Sequence, residues 1–154
     1  MLALATAFWL MSGATGGALP ESAPGGPAVS GAPAPAAVVR EIQAALAQAI
    51  QRFEARDAAG VLGYISAQYR TGPFTKAGVR QQLIATYSIY DTVQARVRID
   101  EVQMVDGNAW VYSTGEVSGR LPLVGAWVVF LSWQHELEVA RREAGGWRLF
   151  GYQQ

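Results

Sequence analysis

The chain has 154 residues, 51% of them hydrophobic, which is enough for one domain with a proper core. Its formal net charge is zero and it carries no basic block, which speaks against nucleic acid as a partner. It contains no Cys, so disulfides, thiolate chemistry, Cys-ligated zinc and lipid attachment through Cys are excluded.

Residues 1–19 read as a possible signal segment. The apolar run 2–11 is too short to span a bilayer, and small residues follow it, with Gly16-Gly17-Ala18 as a small-x-small site. A basic stretch ahead of the run is missing. The pattern implies an exported protein, periplasmic or secreted; without targeting value the chain is cytoplasmic. Residues 20–37, with Pro20, Pro24, Pro27, Pro33 and Pro35 among Ala, Gly and Ser, read as a disordered linker. The folded domain is then 38–154.

Val39, Ile42, Leu46, Ile50 and Phe53 recur at three- and four-residue steps, which predicts a helix over 36–55 with one apolar stripe. Val61, Leu62 and Ile65 suit a short second helix, and 70–73 a loop. Thr75 is placed to cap a third helix that buries Val79, Leu83 and Tyr87. Four strands follow, over about 93–105, 109–118, 127–142 and 147–153. Asp106-Gly107 and Gly145-Gly146 are the tight turns. In the first strand Ile99 and Val102 fall out of phase, which predicts a β-bulge at Asp100-Glu101. Helices first and a strand meander after them predict an α+β fold: a curved antiparallel sheet of about four long strands wrapped around three N-terminal helices, a cone with a pocket.

Alternation along the third strand puts Trp127, Val129, Leu131, Trp133, His135, Leu137 and Val139 on the face toward the helices. Glu136 and Glu138 then fall on a solvated salt-bridge face. In the second strand Ala109, Val111, Ser113, Gly115 and Val117 look inward. Trp110 and Tyr112 look outward, where an aromatic pair calls for cover, so a homodimer through these two residues is expected.

Histidine is the residue type whose side chain changes charge near neutral pH, so on an inner face His135 is the candidate acid or base. Asp91 closes the third helix and could orient it. Tyr87, Tyr90, Asp91, Ser113, Trp133 and His135 form the expected ligand-binding set. His135 and Asp91 are the candidate catalytic pair; the bland alternatives are a core histidine and a turn aspartate. One His and no Cys give no metal-ligand cluster, and no cofactor is expected. The apolar loop 119–125 reads as a lid, a membrane or partner contact, or a loop folded back on its own domain.

The helix ending in Ala55-Arg56-Asp57, the Thr75-Lys76-Ala77-Gly78 helix start, the Asp106-Gly107-Asn108-Ala109-Trp110-Val111 hairpin and the terminal Gly145-Gly146-Trp147-Arg148-Leu149 together resemble the nuclear transport factor 2-like superfamily. That superfamily includes SnoaL-like cyclases and ketosteroid isomerases. The resemblance implies a cone with a pocket, frequently dimeric. Anchored on Asp57, the isomerases' first-helix Tyr falls on Ala49, and their general-base Asp falls near Arg70 to Gly72, where no carboxylate stands. An isomerase mechanism of that kind is therefore not expected.

Three functional readings follow. The leading one is a non-catalytic domain that binds a small apolar or amphipathic molecule. The second is an isomerase, dehydratase or cyclase acting through His135 and Asp91 on a hydrophobic small molecule. The third is a structural protein-interaction domain with a filled cone.

Overall fold

The computed structural model describes residues 31–152. The expected signal segment and the linker up to residue 30 lie outside them.

The described residues open with a two-residue strand, β1 (Ala32–Pro33), and then helix α1 (Ala36–Glu54). Pro35, with φ −55°, precedes the helix, where its missing N–H costs nothing. The stripe seen in the sequence is the buried face: Ile42, Ala49 and Phe53 are buried, and Leu46 and Ile50 pack beside them. Arg56 turns the chain at φ +61°. Asp57 then caps α2 (Ala58–Leu62) by accepting from the Gly60 N–H at 2.8 Å. The expected loop at 70–73 is a small hairpin, β2 (Arg70–Thr71) and β3 (Phe74–Thr75). Thr75 caps α3 (Lys76–Ile89) as expected, accepting from the Gly78 N–H.

The meander follows as β4 (Thr92–Val105), β5 (Asn108–Arg120), β6 (Trp127–Glu143) and β7 (Gly146–Leu149). The sheet order is β1-β4-β5-β6-β7, antiparallel at each pairing. Asp106 and Gly107 both take positive φ, the geometry that a two-residue turn needs to match strand twist. The bulge in β4 lies where expected, between Ile99 and Glu101. Two further register shifts fall in the β5–β6 ladder, at Ser113/Gly115 and Val117/Ser118. Each bulge bends its strand, and together they curl the sheet around the helices.

Part of the expected linker belongs to the fold. Ala32 and Pro33 pair with Met104 and Gln103, the Ala34 N–H donates to the Val102 carbonyl, and Ala34 packs on the core. β4 would otherwise be a bare edge, and a backbone ladder stabilises even a segment with no apolar stripe.

The core has two centres. One joins Ala49, Phe53, Val61, Leu83, Val93, Val117, Trp133 and Leu149. The other joins Ile42, Val102, Ala109, Val111, Ala140 and Trp147.

Candidate functional site

Alternation in β5 holds: Ala109, Val111, Ser113 and Val117 are buried, and Trp110 and Tyr112 point outward. β6 does not keep one phase. Trp133 pairs with Gly115 and Glu136 pairs with Ser113, so both Gln134 and His135 stand opposite Thr114. His135 absorbs the extra residue at φ +47°, a left-handed conformation that His tolerates better than most side chains. Between the two register shifts the odd-numbered Leu131 and Trp133 face inward, and after His135 the even ones do; ahead of the shift at Val117/Ser118, Trp127 and Val129 stand exposed, against the expectation that they face the helices.

His135 therefore lies on the outer face, 60% exposed at its side chain, and not among the core residues as expected. Its ring stacks on Tyr112 at 4.8 Å, and its Nδ1 is 3.6 Å from the Asp100 carboxylate. Thr114 Oγ1 donates to the same carboxylate at 2.6 Å and accepts from the His135 N–H at 3.1 Å. The Thr114 bond, then Arg98, hold the Asp100 carboxyl below the usual carboxylate range.

Asp91 is engaged elsewhere. Its carboxylate takes a two-pronged contact from Arg120, at 2.9 and 3.0 Å, which lowers its pKa. The proposed His135–Asp91 pair is thus two separate ion-pair clusters. Tyr90 stacks on Phe130 at 4.7 Å and lies against Gly119, where a Cβ would fall 2.3 Å from the ring. Tyr87 packs between α1 and α3, its hydroxyl donating to the Phe53 carbonyl at 3.0 Å. Burial pushes its phenol up to about 12. The Arg56 guanidinium lies over the Tyr87 ring and caps α3 by donating to the carbonyls of Tyr87, Tyr90 and Asp91. Ser113 and Trp133 are the members of the expected set that meet inside the cone: the indole N–H donates to Ser113 Oγ at 3.1 Å.

The phase change has a second consequence. Glu136 and Glu138 turn inward, against the expectation of a solvated face. Glu138 is only 2% exposed. It stands on the wall of a cavity of about 50 Å³ between α1 (Ile42, Ala45, Leu46, Ala49) and the sheet (Val111, Ala140, Trp147, Leu149). This cavity is the gap where the two core centres fail to close. Tyr64 and Arg148 stand at its rim, and with Ala45 and Trp147 they also wall a surface groove of about 330 Å³ that reaches Gln48 and Arg142. Burial, with the Glu138 charge beside it, pushes the Tyr69 phenol upward; Tyr69 is itself buried. Glu136 is half-buried, and burial raises its carboxyl.

The sequence held a signal for this inversion. The turn is Ala144-Gly145, one residue earlier than the expected Gly145-Gly146, and counting back from it pairs Trp147 with Arg142 and Leu149 with Ala140. An inward Leu149 makes Ala140, and so Glu138 and Glu136, inward. An inward Trp133 demands the opposite parity. The two conditions meet only if a residue is inserted between them.

The loop 121–126 neither folds back nor covers the cavity. Leu123 is 99% exposed. Val111 on the cavity wall lies ten residues away along β5, about 30 Å at strand rise.

The outward aromatics are partly covered within the chain, Trp110 by the ring of Tyr152 at 6.0 Å and Tyr112 by His135. Among the described residues no group of three metal-ligating side chains gathers, and no helix is long and apolar enough to cross a membrane.

No protein-family model matches the sequence, and no curated protein is similar to it. Solved structures are. A conserved protein from Planctomyces limnophilus superposes with a TM-score of 0.63 at 16% identity, over 74% of this chain and 91% of that one. A proposed dehydratase of the NTF2-like family from Streptomyces avermitilis gives 0.60 at 15% identity, over 76% and 94%. A ketosteroid isomerase-like protein from Erwinia carotovora atroseptica gives 0.53 at 20% identity, over 72% and 89%. Helices leading into a bulged antiparallel meander, and superposition on nine-tenths of these chains' lengths, agree on one architecture: this chain has the nuclear transport factor 2-like cone fold.

Proposed function

We propose that this domain binds a small amphipathic molecule in the gap between its two core centres. One observation carries the reading: a buried carboxylate, Glu138, on the wall of a cavity lined mostly by apolar side chains, with Tyr64 and Arg148 at its rim. Burying a carboxylate is costly, and such groups concentrate where a polar atom must be recognised. The cavity alone is smaller than the usual ligand site of some 300 Å³ or more. The adjoining groove supplies the remaining space, so a small head enters beside Glu138 and the body lies along Tyr64, Gln48 and Trp147. The similar structures named a dehydratase and a ketosteroid isomerase-like protein agree with a fold used on small molecules. The catalytic reading through His135 and Asp91 has no support, since each is paired with a different partner. The filled-cone reading conflicts with the gap.

The test uses phenol and cyclohexanone as probes, followed by amide NMR. Both are expected to shift the amides of Ile65, Val111 and Leu149. Ala45→Leu, which fills the mouth, should abolish the shifts, and Glu138→Gln should change the preference between the two probes. Unmoved amides for both probes would remove the reading.

A further inference from the structure

β6 is covered along only part of its length. β7 pairs with Ala140 to Glu143, and the Phe150 and Gly151 N–H groups donate to the Val139 carbonyl. Among the described residues no strand pairs with that edge from Trp127 to Glu138. Over the first eight residues of that stretch the chain reads Trp127-Val128-Val129-Phe130-Leu131-Ser132-Trp133-Gln134, without a charge, a Pro or a Gly; His135, Glu136 and Glu138 follow. Every residue from Pro122 to Val129 is exposed, including Leu123, Val124, Trp127, Val128 and Val129. From Val117 to His135 there is no carboxylate. Apart from the irregularities at Phe130 and at Gln134-His135, this edge has none of the usual protection against another strand.

We propose that the free edge of β6 is a self-association surface, on which the same edge of a second copy pairs antiparallel and closes a two-fold dimer. Two physical arguments choose this occupant. An open edge presents unpaired N–H and C=O groups, which a lipid surface cannot satisfy and another strand can. Antiparallel pairing of an edge with itself is two-fold symmetric, and an uncharged run does not repel its own copy across the axis. The five exposed apolar side chains offer on the order of 500 Å² per chain. Doubled by symmetry, that reaches about 1,000 Å², the lower bound of a specific interface. The outer face at Trp110 and Tyr112 has no equal claim, because Tyr152 and His135 already lie on those rings.

The experiment is sedimentation of the full chain at up to tens of micromolar, with amide hydrogen exchange at high and low concentration. A dimer is expected, with alternate amides between Trp127 and Glu138 protected at high concentration and released on dilution. Val129→Lys, at an exposed site, should weaken dimerisation roughly tenfold or more with an unchanged circular dichroism spectrum. A monomer at every concentration would overturn the proposal. So would a dimer that survives Val129→Lys with freely exchanging edge amides, or one that Trp110→Glu dissolves instead. A monomer that binds phosphatidylcholine–phosphatidylglycerol vesicles would replace the partner with a lipid surface.

Discussion

Single side chains show how strongly this domain couples protonation to burial. The Tyr87 phenol rises from 10.0 to about 12 chiefly because it is buried, and Tyr69 is pushed up by burial and then by Glu138. Between pH 10 and 12 the folded Tyr87 keeps its proton while the unfolded one loses it. The native state then binds more protons, so stability falls as pH rises through that window. Urea unfolding at about pH 9 and pH 11 should show this loss, and the Tyr69→Phe/Tyr87→Phe double variant should show a smaller one. Equal losses in both proteins would mean that other groups cause it. Glu136 follows the same sign at the acid end: a carboxyl raised by burial contributes stability at low pH that is lost as pH rises past its unfolded value.

Bulges and close approaches decide what the strands can do. Gly115 lies beside Trp133 at the bulge in the β5–β6 ladder, where a Cβ would fall 2.5 Å from the indole and 2.7 Å from the Arg96 carbonyl. Backbone cannot yield cheaply, so Gly115→Ala should cost about 1–3 kcal/mol. A denaturant midpoint within error of the unsubstituted protein would show that the indole simply moves aside. β1 gives a second prediction at this scale. Removing residues 1–30 leaves each described contact in place and should leave the melting temperature unchanged. Removing 1–37 deletes β1, the Ala34–Val102 bond and the first residues of α1. That should cost about 2 kcal/mol, several degrees for a domain this size. Equal melting temperatures for the two deletions would show that β1 adds nothing.

The whole molecule is two core centres that do not close on one another. Filling the gap therefore trades binding for stability. Ala45→Leu should raise the melting temperature of the free protein by a few degrees while abolishing probe binding. A lowered melting temperature would mean that the gap is too constrained to accept a larger side chain. The free edge of β6 reaches Glu138 on the cavity wall, but its exposed apolar part, Trp127 to Val129, lies nine or more residues away along the strand, so Val129→Lys should weaken dimerisation and leave probe binding unchanged.

Local chemistry was legible in the sequence. The α1 stripe, the Thr75 cap, the Asp106-Gly107 turn and the bulge at Asp100-Glu101 each depend on residues within a few positions of one another, and each lies where it was expected; the turn expected at Gly145-Gly146 lies one residue earlier, at Ala144-Gly145. The α+β cone follows from their order. What the sequence did not yield by alternation was the phase of β6. One inserted residue at His135 reverses every side chain after it, sending His135 out and Glu138 in. Such an insertion costs little in the strand itself and is fixed by the partners on both sides, Gly115 on β5 and Leu149 on β7. β1 is the same case: Ala32 and Pro33 have no pattern of their own and become a strand because β4 offers an open ladder. The gap, too, exists only once both core centres have packed, since no local run of residues encodes the space left between them.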